Sequence, residues 1–372
     1  MMEVMDNSID VILDNIDDAK DFLDRDSIDE FEDVIMDADN IFVVGAGRSG
    51  LAAKSFAVRL THLGLSAYVV GDIITPSIQE NDCLVVISGS GETNVSISAA
   101  AIAKSRGSRV LALTSYPESS LGELADCSIV VKGRTKQETA DESYVERQIH
   151  GNYTSLTPLG TAFELSCLMF LDAIIFELME MMQGGSRVRL FDDVVEAILE
   201  NIKNSKEFLD EDAIARFKEI LLFSPHIFVT GAGRSGLVAK SFAMRLMQLG
   251  FSAFVVGETA TPHIRKSDCL VVISGSGETK NIVSSAAIAK NEGSNVLALT
   301  SYPESGLGEL ADCSIMVKGR LMEEPDNDNY LKRQIYGNYA ALTPLGTAFE
   351  LASLVFLDAI VSELMDSIMS IG

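Results

Sequence analysis

Six consecutive residues, Ser88-Gly89-Ser90-Gly91-Glu92-Thr93, set three hydroxyls and two glycines directly after an apolar run, Cys83–Ile87. Glycines let backbone N–H groups approach a bound group, hydroxyls donate further hydrogen bonds, and a following helix would add its positive end. Such a loop can surround a phosphate; a tight turn with serine caps is the blander reading. A second loop, Gly45-Ala46-Gly47-Arg48-Ser49-Gly50, also follows an apolar run and opens a helical pattern. Arg48 and Ser49 stand in this loop. Its G-x-G-x-x-G spacing fits a dinucleotide fingerprint as well, and Asp72 stands roughly 20 positions on, where that fingerprint has an acid. The third candidate is Glu164, in the segment Thr-Ala-Phe-Glu-Leu. A carboxylate beside a bound substrate can take up and return a proton. An acid in the first turns of a helix is also favoured by the helix dipole alone.

Every one of these features occurs twice. GAGRSG returns from Gly231, bringing Arg234 and Ser235. The hydroxyl loop returns as Ser274-Gly275-Ser276-Gly277-Glu278-Thr279, and Glu164 returns as Glu350. Asp72 becomes Glu258. The offset is constant without a gap, so a whole domain is duplicated, with the joint near Gln183-Gly184-Gly185-Ser186. The expected domains are residues 1–184 and 187–372. Each copy opens on an amphipathic stretch (Ile9, Ile12, Leu13, Ile16, then Phe22) at helical spacing. Short Val- and Ile-rich runs follow at Ile41–Val44, Ala67–Val70, Cys83–Ile87, Val110–Leu113 and Ser128–Val131. They are apolar throughout rather than alternating, as strands covered on both faces are. Helical segments at Leu51–Leu63 and Val95–Ser105 separate them, and a last helix is expected from Thr157-Pro158 to Met182. The fold class is therefore α/β, with a five-stranded parallel, doubly wound (Rossmann-like) sheet flanked by helices in each copy.

The chain of 372 residues carries 54 acidic and 29 basic side chains, a net charge of −25. Such a surface repels nucleic acid and anionic membranes, which argues against both as partners. A phosphate site would have to supply its own donors. The five cysteines form no CxxC pair and no metal-ligand spacing with histidine, so they read as free thiols of a reducing compartment. The acidic start MMEVMDNSID lacks the pattern of a secretion signal, and a cytoplasmic location is expected.

A GRSG loop and an SGSGET loop on this pattern resemble the SIS (sugar isomerase) domain family over essentially the whole of each copy. Within it, the segments GAGRSGLAAKSFAVRLTHLG, VVGDIITPSIQENDCLVVISGSGET and PLGTAFELSCLMFLDAII look like the 6-phospho-3-hexuloisomerase type. The resemblance implies interconversion of a hex-3-ulose 6-phosphate and fructose 6-phosphate through an enediol, as in the ribulose monophosphate route of formaldehyde assimilation. It implies no metal and no organic cofactor. It puts substrate contacts at Ser49 and Ser88–Thr93, and at Ser235 and Ser274–Thr279, and makes Glu164 and Glu350 the proton acceptors. His62 matches a family position, but its counterpart is Gln248. The family's C-terminal His followed by Asn-Leu has no counterpart in either copy, which opens a second reading as a sugar-phosphate sensor. Another aldose–ketose isomerase of the same fold is a third. The copies are expected to pair as a pseudo-dimer, and two chains to associate, with the apolar last helix (Leu168, Phe170, Leu171, Ile174, Ile175) as a candidate interface. The polar stretches 132–153 and 318–339, with Arg147 and Arg333, read as lids or interface elements.

Overall fold

The computed structural model describes residues 3–133, 159–184, 187, 189–319 and 345–371. Residues 134–153 and 320–339 of the polar stretches, with Arg147 and Arg333, and the start of the last helix at Thr157-Pro158, lie outside the described residues. In the first repeat the described elements run α1 (Glu3–Lys20), α2 (Arg25–Asp37), β1 (Ile41–Gly45), α3 (Gly47–His62), β2 (Ala67–Val69), β3 (Cys83–Ile87), α4 (Asn94–Ser105), β4 (Arg109–Thr114), α5 (Ser120–Leu124), β5 (Cys127–Val130) and α6 (Leu159–Met182). The second repeat follows with α7 (Phe191–Lys206), α8 (Glu211–Phe223), β6 (Ile227–Gly231), α9 (Arg234–Gln248), β7 (Ala253–Val255), β8 (Cys269–Ile273), α10 (Lys280–Asn291), β9 (Asn295–Thr300), α11 (Gly306–Leu310), β10 (Cys313–Met316) and α12 (Leu345–Ile371).

The apolar runs are strands because a parallel sheet covered on both faces needs side chains that can be buried in both directions. All pairings are parallel, in the orders β2-β1-β3-β4-β5 and β10-β9-β8-β6-β7. Phe42, Val44, Leu84, Val86, Val110 and Ala112 face α4 and α5, which contribute Ala100, Ala103 and Leu121. Helices α2 and α3 pack on the sheet, and α6 packs on those two helices. Helix α2 escaped the sequence pattern; Asp24 caps it, its carboxylate accepting from Ser27 N–H at 3.1 Å. Phe22 lies beyond the end of α1 and is half exposed, under the ammonium of Lys132.

The chain divides into two compact units, Val11–Glu196, and Met1–Asp10 with Ala197–Gly372. They differ from the repeat halves 1–184 and 187–372 by the opening turns of α1 and α7. In the first unit Glu177 of α6 accepts from Leu190 N–H at 2.6 Å and Phe191 N–H at 2.8 Å, so it caps α7. In the second, Glu363 of α12 accepts from Met5 N–H at 3.1 Å, the same position in the repeat. Among the described residues no helix is long and apolar enough to cross a membrane.

Candidate active site

The strand order 2-1-3-4-5 reverses direction between β1 and β3, and ligands in open α/β sheets bind beyond the carboxyl ends of the strands at such a point. Both loops singled out above emerge there, one from β1 and one from β3. In the second repeat the equivalent loops leave β6 and β8.

The first loop is tight for a steric reason. A Cβ on Gly45 would lie 2.7 Å from the carbonyl of Ser49, and one on Gly50 would lie 2.7 Å from Gly45 O. The strand end and the first turn of α3 can therefore approach only without side chains. Gly233 takes φ 57° and ψ −127°, a backbone shape open to glycine alone. The turn buries Ser49 and Ser235 and leaves Arg48 and Arg234 half-buried beside them.

The second loop is held by its own hydroxyls. Ser88 N–H donates to Leu113 O of the neighbouring strand, while Ser88 Oγ donates to Thr93 Oγ1 at 3.3 Å. Ser90 Oγ accepts from Glu92 N–H at 3.2 Å, and Ser276 repeats this with Glu278 at 3.3 Å. Gly91 has φ +66°, and a Cβ there would fall 1.8 Å from Ser119 Oγ; Gly277 and Ser305 stand in the same relation. Gly89 and Gly275 accept through their carbonyls from Ser115 and Ser301 N–H, which ties the loop to the end of the next strand. The Glu92 carboxylate turns away from the hydroxyls and caps α5, accepting from Ser120 N–H at 2.8 Å and Ser120 Oγ at 2.7 Å. Glu278 accepts from Gly306 N–H at 2.7 Å. The carboxylate braces the loop rather than facing the space between the two loops.

The helices that follow these loops differ from α2, α5, α8 and α11. Helices α2, α5, α8 and α11 begin on an Asp or Ser whose side chain accepts a backbone N–H, and all four carry an acid in the first turn. Helices α3, α4, α9 and α10 have neither a side-chain cap nor a first-turn acid. Thr93 and Thr279 occupy the cap position of α4 and α10 without capping. On so acidic a chain, these are helix ends kept electropositive.

The third component comes from the last helix. In the second repeat Ser235 Oγ donates to Glu350 Oε1 at 3.2 Å, joining the β6 loop to α12. Glu164, its counterpart on α6, is buried, as is Ser49. Gly133 and Gly319 leave the last strands at φ +143° and +146°, so close to the final helix that a Cβ would meet Phe163 N at 2.6 Å and Phe349 N at 2.4 Å. Those glycines carry no chemistry and stood out in no motif; their positive φ was their only signal. His62 is set apart from this group. It closes α3, thirteen residues after Ser49, so it lies about 20 Å along the helix axis from the loop of its own repeat.

Comparison with known proteins agrees with the duplication. The SIS domain family model matches residues 34–141 and 220–322, more than half of the chain. The chain belongs to the SIS domain family. The 3-hexulose-6-phosphate isomerase of Bacillus subtilis is 42% identical over 174 residues, covering 47% of this chain and 89% of the relative. The protein of that name from Methanocaldococcus jannaschii is 41% identical over 140 residues, 37% of this chain and 67% of the relative. The C-terminal domain of glucosamine-fructose-6-phosphate aminotransferase from Francisella tularensis spans 98% of this chain and 96% of its own length, with a TM-score of 0.65 at 13% identity. That likeness is one of fold, with two SIS domains in tandem.

The SIS assignment bears on the dinucleotide alternative. Its acidic positions, Asp72 and Glu258, form exposed ion pairs with Lys54 (3.2 Å) and Lys240 (2.5 Å) of α3 and α9. In this SIS chain the acids hold the end of the edge strand to the neighbouring helix. The five thiols are all buried. Burial, and then Asp82, push Cys83 up to about 12; burial, and then Glu164, raise Cys167.

Proposed function

We propose that the chain is a sugar-phosphate isomerase with one site in each repeat, interconverting hex-3-ulose 6-phosphate and fructose 6-phosphate. The observation that carries this reading is the Ser235–Glu350 contact beside uncapped helix ends at the strand-order reversal. The relatives named 3-hexulose-6-phosphate isomerase, at 34–42% identity, support the choice of substrate.

The phosphate sits against the β3 loop, where Ser88, Ser90, Thr93 and the first N–H groups of α4 supply donors without an opposing acid. Ser49 and Arg48 hold the sugar end. Glu164 removes the proton from C2 while the carbonyl is at C3, giving an enediol, and returns a proton to C3 as the carbonyl forms at C2. One carboxylate on one face of the sugar serves both transfers. Glu350 and the loops around Ser235 and Ser274–Thr279 repeat the arrangement. The proposed assembly is two chains with four domains, as the family resemblance implies.

The test is a coupled assay for fructose 6-phosphate with the full chain, Glu164→Gln, Glu350→Gln and the double variant. Each single variant is expected to keep about half the activity, and the double variant under about 1%, as loss of a general base removes 10²–10⁴-fold. A wild-type chain whose melting temperature rises with substrate but which shows no turnover refutes catalysis and leaves a binding protein.

A further inference from the structure

The last helix of each repeat is buried on nearly every side, residues 161–175 and 347–364 being covered at almost all positions. A helix apolar all round has no polar stripe to orient it. Apolar packing alone gives such a helix several acceptable registers, spaced by one turn of 5.4 Å. The polar residues on the buried part of α6 are therefore informative. Glu164, Asp172 and Glu177 are buried, and Glu350, Asp358 and Glu363 stand at the same places on α12.

Asp172, Glu350, Asp358 and Glu363 each have a partner on another element. Glu350 meets Ser235 of α9 at 3.2 Å, and Glu363 meets Lys218 of α8. Asp358 lies 3.6 Å from Arg245 Nε of α9, and Asp172 lies 3.5 Å from Arg59 Nε of α3. All four side chains of these last two pairs are 5–8% exposed. Ser235 and Arg245 are ten residues apart, about 15 Å along α9; Glu350 and Asp358 are eight apart, about 12 Å along α12. The two helices thus run side by side in one direction, joined at the site and again two turns further on.

We infer that Arg59–Asp172 and Arg245–Asp358 are positioning pairs: they set the axial register of the last helix against α3 and α9, and so place Glu164 and Glu350 beside Ser49 and Ser235. This rests on the isomerase reading of those glutamates. A slip of one turn would carry the glutamate 5.4 Å from the serine and would part the aspartate from the arginine where water cannot reach them. The apolar contacts would re-form after the slip, whereas the ion pair would not. The pair stands about 12 Å from the glutamate, too far to touch substrate, so it acts only through the helix. Position 32 changes from Glu to Lys218 between the repeats, yet the Arg–Asp pair is present in both.

The test separates register from stability, because a buried ion pair can be exchanged for apolar side chains of similar volume at little cost in stability. In the full chain, Arg59→Met, Asp172→Leu, Arg245→Met and Asp358→Leu are combined. The variant is expected to melt within about 5 °C of the wild type. Its kcat falls on the order of 10²-fold, as for a catalytic group misplaced by an ångström or more, while KM changes less than about threefold. Amide exchange in 161–175 and 347–364 quickens at least about tenfold while the sheet stays protected. Arg59→Lys with Arg245→Lys keeps the charge and restores kcat to within about threefold. Wild-type kcat or unchanged exchange in the folded apolar variant overturns the inference, as does failure of the lysine pair to restore turnover. If the apolar variant does not fold, Asp172→Asn with Asp358→Asn replaces it; this variant is expected to melt lower, because each buried arginine loses its partner, and it is judged by the same changes in kcat, KM and exchange. An inactive wild-type chain refutes the isomerase reading alone, and the exchange result then decides the register claim by itself.

Discussion

Replacing Glu32 by Gln should stabilise the first unit, by an amount that grows with pH. Glu32 lies on α2 with no exposed surface, facing Glu177 of α6, with Arg187 Nε at 3.6 Å and Asp29 one turn earlier. Burial, and then the Glu177 carboxylate, push its carboxyl from 4.5 up to about 9. The folded chain therefore keeps a proton that the unfolded chain has released. The linked stability is complete below pH 4.5 and is lost as pH rises towards 9. Each pH unit inside that window removes about 1.4 kcal/mol. Between pH 6 and pH 8 the wild type should lose about 3 kcal/mol that the Gln variant keeps. The measurement is urea unfolding at pH 6, 7 and 8, followed by amide exchange in peptides from the first unit, since two units need not unfold together. Parallel stability lines for variant and wild type, with a constant offset across pH, would refute the reasoning. The second repeat is an internal control: Lys218 pairs with Glu363 at the equivalent place, so peptides of the second unit should be unaffected by the substitution.

Gly91→Ala should cost about 2 kcal/mol or more and weaken phosphate binding, because φ +66° and Ser119 Oγ at 1.8 Å both oppose a Cβ; Ser119→Gly should recover part of the binding in a phosphate titration. Glu92→Ala removes the carboxylate that caps α5 and should lower stability by about 1 kcal/mol while raising KM more than it lowers kcat, as steady-state kinetics would show. Cys83, Cys127 and Cys269 are each pushed up to about 12, chiefly by burial, so no thiol should react with an aromatic disulfide reagent at pH 8 until urea unfolds the chain.

Most of the fold was legible because its signals are local. Short Val- and Ile-rich runs such as Cys83–Ile87 fit buried strands, and glycine spacing in GAGRSG marks a sharp strand-to-helix turn. The expected strands match those observed to within one or two residues. Helix α2 was missed because its apolar positions are interleaved with seven charged residues in RDSIDEFEDVIMD. Part of the candidate site was legible for the same reason: Ser49, Ser88 and Glu164 belong to compact motifs. Glu92 was not, because its motif does not reveal that α5, twenty-eight residues later, offers its N-terminus to the carboxylate.

The sequence by itself determined the duplication, the α/β class, the hydroxyl loop and the candidate base, since each is written in residues adjacent along the chain. Only the tertiary structure decided that Ser235 meets Glu350 across 115 residues, that Glu32 faces Glu177 where Lys218 pairs with Glu363, and that Arg59 finds Asp172. Such contacts depend on which helix faces lie together once the sheet has ordered its strands, and no local pattern records that choice.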